Sequence, residues 1–159
     1  MKAIAAFLFL AWMGSEAAAA PCPCTTFFSG AAQPFIAEGV ARAGDRFFVA
    51  GVAARRIVEI RSGRVRDFAR LPDDYSPFGI AVAGGTLWVT AAVVAQGAGH
   101  DGSSALIAFD LYGKRIGTYP VPDQDRHALG DLTIAPDGRS MFRTAWAARS
   151  ICCGPAPMH

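Results

Sequence analysis

The chain has 159 residues, a net charge of +2, 18% charged and 52% hydrophobic residues. That is room for one ordinary domain, and so balanced a charge argues against a nucleic-acid partner or a purely electrostatic hold on an anionic membrane.

The chain begins with Lys2, an unbroken apolar stretch from Ala3 to Met13, and a small-residue run ending Ala18-Ala19-Ala20 before Pro21. This order of charged, apolar and small residues predicts a secretory signal over residues 1–20, cut after Ala20. A membrane anchor needs about 20 apolar residues, and Gly14, Ser15 and Glu16 interrupt this run. The expectation is an exported protein, periplasmic or extracellular, with no stable membrane insertion once the signal is removed. Residues 21–33 then read as a linker carrying Cys22-Pro23-Cys24, with Cys152-Cys153 at the far end of the chain. Export permits disulfides, but neither pair has the spacing of a zinc site or of haem attachment.

From residue 34 the sequence repeats. Glu38-Gly-Val-Ala-Arg-Ala-Gly-Asp-Arg-Phe-Phe-Val aligns with Phe78-Gly-Ile-Ala-Val-Ala-Gly-Gly-Thr-Leu-Trp-Val and with Gly130-Asp-Leu-Thr-Ile-Ala-Pro-Asp-Gly, their starts 40 and 52 residues apart. A period of about 40–50 residues is that of a four-stranded propeller blade. Within the first period, strands are expected over 39–43, 46–52, 56–61 and 65–71. In the second they are expected over 79–83, 86–92, 105–111 and 115–121. Turn residues such as Gly84-Gly85 divide them. Phe47-Phe48-Val49 and Leu87-Trp88-Val89 are the aromatic and β-branched runs of buried strands, and Trp88 and Phe109 read as core. The predicted fold is all-β: a partial β-propeller over residues 34–138, with blades near 36–72 and 76–122 and the start of a third over 129–138, behind an N-terminal signal helix. Arg55, Arg56, Arg61, Arg64, Arg66 and Arg70 fall where outer strands and turns belong and read as solvated.

After Gly138 the expected apolar strand does not come, and residues 139–159 read as an aberrant tail without strand alternation. Taking the third base of each codon with the first two of the next, Met141-Phe142 must give Val, Trp146-Ala147 Gly, Cys152-Cys153 Leu and Met158-His159 Ala. The remaining positions permit a strand, a turn and another strand. The reading favoured is a frameshift near Gly138 to Ser140, which would leave Cys152, Cys153 and His159 without roles; the other is a divergent C-terminus. An incomplete ring would leave blade edges open to self-association.

These motifs, joined by Arg-Ile-Val-Glu-Ile and Ala-Leu-Ile-Ala-Phe-Asp, resemble the gluconolactonase, regucalcin and luciferin-regenerating-enzyme superfamily over residues 34 to about 138. The resemblance implies a six-bladed fold of which fewer than half the blades are present. It also implies a metal-dependent lactonase-like hydrolase acting on a small molecule, inactive in this partial form; the alternative is a non-catalytic propeller fragment that binds a ligand or protein through its loops. By the resemblance, a divalent cation such as Ca²⁺ or Mg²⁺ would polarise a lactone carbonyl. Glu38 matches the superfamily's glutamate at the start of the first inner strand. Asp131 stands where related sequences place Asn-Asp, with Gly130 in the Asn position. From the residues themselves, His100-Asp101 on a Gly-rich loop is a weak acid–base candidate. His127 falls in the loop before the third repeat, and Ser103 and Ser104 lack a nucleophile elbow.

Overall fold

The computed structural model describes residues 35–72, 74–93, 103–121 and 128–135, and the backbone of 140–144 and 150–153. All of the described secondary structure is β, and no helix among the described residues is long and apolar enough to cross a membrane. The expected signal segment lies outside the described residues.

The strands are β1 Ala37–Ala43, β2 Arg46–Gly51, β3 Arg56–Arg61, β4 Arg64–Arg70, β5 Tyr75–Ala83, β6 Thr86–Val93, β7 Ser104–Asp110, β8 Arg115–Pro120, β9 Leu129–Ile134, β10 Ser140–Thr144 and β11 Ser150–Cys153. They form three antiparallel meanders in the order β1-β2-β3-β4, β5-β6-β7-β8 and β9-β10-β11. The first two are the expected blades, with strand ends displaced by a few residues at most. The tight connections follow from local chemistry: Ser62 and Gly63 both take positive φ, 49° and 73°, in the two-residue loop between β3 and β4 that twists with its strands. In the β7–β8 turn the Asp110 carboxylate accepts the Tyr112 and Lys114 N–H groups, each at 2.9 Å.

Side chains alternate across each sheet, and this alternation assigns the cores. Ala41, Phe48, Ala50 and Ile57 of the first sheet pack with Ile80, Leu87, Val89, Ile107 and Phe109 of the second. The opposite face of the second sheet packs Leu106, Trp88 and Ala81 against Leu129 and Leu132. Phe109, expected in the core, is buried; Trp88 lies partly buried against the third sheet. With both faces covered, β7 is apolar along nearly its whole length. Each fully buried Phe, Leu or Ile contributes about 1.5–3 kcal/mol by leaving water. The outer strands β4 and β8 are largely exposed, and β4 carries the charges that discourage edge pairing.

The third sheet corrects one expectation. The segment after Gly138 supplies β10 and β11, and β10 pairs with β9 from Ser140↔Ile134 to Thr144↔Leu129. Main-chain pairing does not require side-chain alternation, so the edge of β9 accepts a strand that the sequence pattern concealed. Cys152 and Cys153 accordingly lie in β11, paired to Met141 and Ser140.

Candidate functional site: the bulged mouth of the inner strands

The innermost strands β1, β5 and β9 lie side by side. Their contact is unusually close. A Cβ placed on Gly79 would fall 2.7 Å from both the Gly130 carbonyl oxygen and the Leu132 nitrogen, and one on Gly39 would run into the Phe78 carbonyl oxygen and come 3.0 Å from the Ile80 nitrogen. The repeated glycine is therefore where the backbone of one sheet rests on that of the next.

Each inner strand also opens with a bulge at the same place. Pairing slips between Ala37 and Gly39, between Pro77 and Ile80, and between Phe142 and Thr144 opposite Gly130-Asp131. The three registers superimpose: Ala37↔Gly51, Pro77↔Ala91 and Leu129↔Thr144 precede the slip, and Val40↔Val49, Ile80↔Val89 and Leu132↔Phe142 follow it. Glu38, Phe78 and Gly130 thus share one structural position. Bulges re-aim side chains and recur beside functional sites; here they gather at the end of the sheets where the β6–β7 connection also emerges.

Hydroxyls fasten this end. The buried Thr90 Oγ1 accepts the Gly79 N–H at 2.8 Å, and its own proton is directed at the carbonyl oxygens of Gly79, 3.1 Å away, and of Gly130. Ser104 is buried, and its Oγ accepts the Leu129 N–H at 3.2 Å. Both residues join the second sheet to the third, which gives Ser104 a structural task in place of a nucleophilic one.

Of the expected site residues, Glu38 stands exposed on the first bulge, while Asp131 is exposed on β9, with β5 running between their two strands. His100, Asp101 and His127 lie outside the described residues. Among the described residues no group of three or more His, Cys, Asp or Glu side chains is assembled that would hold a metal ion. Glu38 and Asp131, on strands separated by a third, do not by themselves form a divalent-cation site.

A second cluster escaped the sequence reading. Glu59 on β3 is buried at 1% exposure, between Arg46 at 2.7 Å and Arg66 at 2.7 Å. Arg46 also donates to the Leu111 carbonyl of the second sheet at 2.6 Å, and its guanidinium lies 4.9 Å from the Phe48 ring centre. Burial pushes the Glu59 carboxyl up, but hydrogen bonds and charge from the two arginines outweigh it and hold the group below its ordinary value. An open hollow of about 670 Å³ is lined here by Glu59, Arg61, Ser62, Arg64, Val65 and Arg66, at the β3–β4 turn and away from the bulged mouth. A carboxylate held ionised by two cations is poorly suited to proton transfer at neutral pH, and this cluster is a joint between sheets. The signal was present in the sequence: Ile57 and Glu59 share a face of β3, so an apolar inner face carries an acid that needs a cationic partner. The other arginines of the run are mostly paired as well, Arg55 with Asp74, Arg56 with Asp67, and Arg61 with Asp45.

No family model and no curated protein matches the chain. Among solved structures it is similar to an oxidoreductase described as a glucose dehydrogenase from Thermus thermophilus, at 19% identity and TM-score 0.51 over 69% of this chain. It is also similar to the PQQ-bound aldose sugar dehydrogenase of Streptomyces coelicolor, at 11% identity and TM-score 0.49 over 68% of this chain. The chain spans 37% of the length of each. The likeness to the first supports a β-propeller-like fold and extends to about a third of a longer propeller chain; it does not reach the lactonase superfamily expected from the motifs.

Proposed function

We propose that this chain is part of an exported propeller whose bulged mouth takes a small polyhydroxylated ligand, a sugar or a sugar lactone, with Glu38 as its carboxylate contact. The carrying observation is the bulge repeated at Glu38, Phe78 and Gly130, which places one exposed acid at the rim. The motif resemblance to lactonases and the sugar named for the Thermus dehydrogenase support the same ligand chemistry from separate directions. A carboxylate accepting hydrogen bonds from adjacent hydroxyls is the charge-assisted contact that such ligands recruit.

Hydrolysis is a finer reading. Metal-assisted opening of a lactone needs several hard oxygen ligands on one ion, and the described residues do not gather them. The second reading is a non-catalytic module that docks a ligand or protein through its loops.

The deciding experiment is a thermal-shift series on the purified chain with glucose, gluconate and glucono-lactone, with and without Ca²⁺, Mg²⁺, Mn²⁺ or Zn²⁺, repeated on Glu38→Gln. A ligand-dependent rise that Glu38→Gln removes supports the reading. No shift with any sugar or lactone overturns it. Lactone opening above the spontaneous rate would overturn the non-catalytic part, while indifference to all four metals would remove the hydrolase.

A further inference from the structure

One face of the first sheet carries a row of like charges where β3 turns into β4. Arg46 lies directly opposite Arg61, and Arg61 directly opposite Arg64, so guanidiniums stand side by side on adjacent strands. Like charges placed directly opposite destabilise a sheet. The inner two are offset, Arg46 by Glu59 at 2.7 Å and Arg61 by Asp45 at 2.9 Å. Arg64, exposed at the outer end of the row, has neither a carboxylate nor a hydrogen-bond partner among the described residues. Arg66, opposite Glu59 on the same face, adds another guanidinium without another carboxylate, because it shares the Glu59 Oε2 atom with Arg46.

We propose that the hollow at this hairpin is a site for a phosphate or sulfate group, with Arg64 as its principal contact and Arg61 and Arg66 flanking it. All three arginines line the hollow of about 670 Å³. Glu59 lines it too, but its side chain is 1% exposed and already carries two guanidiniums, so a ligand entering from solvent meets cations. Donors remain for it. Arg61 gives Asp45 its Nε and Arg66 gives Glu59 one terminal nitrogen, which leaves the rest of each planar fork to bind oxyanion oxygens in pairs. A phosphate or sulfate group offers at least three oxygens to the three arginines, whereas a carboxylate offers two. Such a charge would offset Arg64 and relieve the repulsion along the row, which a neutral sugar would not. The hollow lies away from the bulged mouth, so this site stands whether or not the mouth takes a sugar.

The test follows thermal unfolding of the full chain and of Arg64→Gln with inorganic phosphate, sulfate and glucose 6-phosphate. Ionic strength is held constant with sodium chloride, so that general screening does not vary. The parent should gain about 2–4 °C in a saturable way, and Arg64→Gln should lose most of that gain. An equal rise in both proteins is the general stabilisation that excluded salts produce and overturns the site, as does no rise with any of the three. A rise equal for inorganic phosphate and glucose 6-phosphate supports a site for the free ion; a larger one for glucose 6-phosphate supports a site for the group carried on a sugar. With no anion present, Arg64→Gln should melt no lower than the parent, because it removes a like charge from the row. A drop of several degrees would make Arg64 a structural residue and overturn the proposal. A second measurement needs no variant: in an NMR titration with inorganic phosphate the Arg64 Nε–H resonance should move while that of Arg55, paired with Asp74, stays. Resonances that move alike, or not at all, overturn it.

Discussion

Arg46 holds the buried Glu59 carboxylate at 2.7 Å while donating to the Leu111 carbonyl at 2.6 Å, so one guanidinium links the first sheet's charge to the second sheet's backbone. Glu59→Ala leaves Arg46, whose side chain is 16% exposed, without its counter-charge. Removing one partner of a buried pair costs about 3–5 kcal/mol. Arg66→Ala strips only an arm that is 67% exposed and should cost about 1 kcal/mol or less. Urea denaturation of the two variants checks the order; equal losses would mean that Arg46 alone does not carry the joint.

The same carboxylate makes the fold acid-sensitive. Its folded pKa is lowered from an ordinary value of 4.5, so the unfolded chain takes up the proton first as pH falls. The stabilisation is complete above the unfolded value and is lost as pH drops through the lower folded one. Asp45, held down chiefly by its hydrogen bond to Arg61, acts with the same sign but lies in solvent. Melting temperature should therefore be flat above the carboxylate range and fall below it, and Glu59→Gln should start lower and fall less. A parallel decline in both proteins would assign the effect to other groups.

How far the sequence discloses this arrangement differs from feature to feature. Ser62-Gly63 and Gly84-Gly85 announce their turns because positive φ selects residues directly, and the aromatic and β-branched run Phe47-Phe48-Val49 announces a strand. The bulge at Glu38 is invisible, because it is fixed by which residue of β2 lies opposite and not by the type of residue that bulges. Gly39 and Gly79 are visible as repeat markers, yet their reason, the passage of another backbone, is a tertiary fact. Glu59 was legible in principle from its parity with Ile57, but its partners, Arg46 on β2 and Arg66 on β4, come from two neighbouring strands. The β10 segment hid because backbone pairing to β9 leaves no mark on side-chain periodicity.

Thr90 offers a prediction about the joint between the second and third sheets. Its hydroxyl serves the buried Gly79 N–H and the Gly130 carbonyl together, whereas the register equivalent in the first sheet is Ala50. Thr90→Val preserves volume and removes both partners, which should cost about 1–3 kcal/mol for the stranded polar groups. Thr90→Ser keeps the hydroxyl and should lose less. If chemical denaturation finds Thr90→Val and Thr90→Ser equally stable, the hydrogen bonds are not what secures the third sheet.

Gly79→Ala separates close approach from turn geometry. At Gly84, φ is positive and nothing lies within 4 Å of an added Cβ, so Gly84→Ala pays only backbone strain, about 1 kcal/mol. At Gly79 the added methyl meets the Gly130 oxygen and Leu132 nitrogen at 2.7 Å, and backbone on both sides must shift, at about 1–3 kcal/mol. The two costs overlap in size but not in place. Hydrogen exchange on Gly84→Ala should show loosening confined to the ends of β5 and β6. On Gly79→Ala it should show β9 amides exchanging faster, with the first sheet undisturbed. Were β9 unaffected in Gly79→Ala, the third sheet would have to be held by Leu129, Leu132 and the Thr90 hydroxyl with enough slack to admit a methyl group, and the glycine series could no longer explain why the sheets stack as they do.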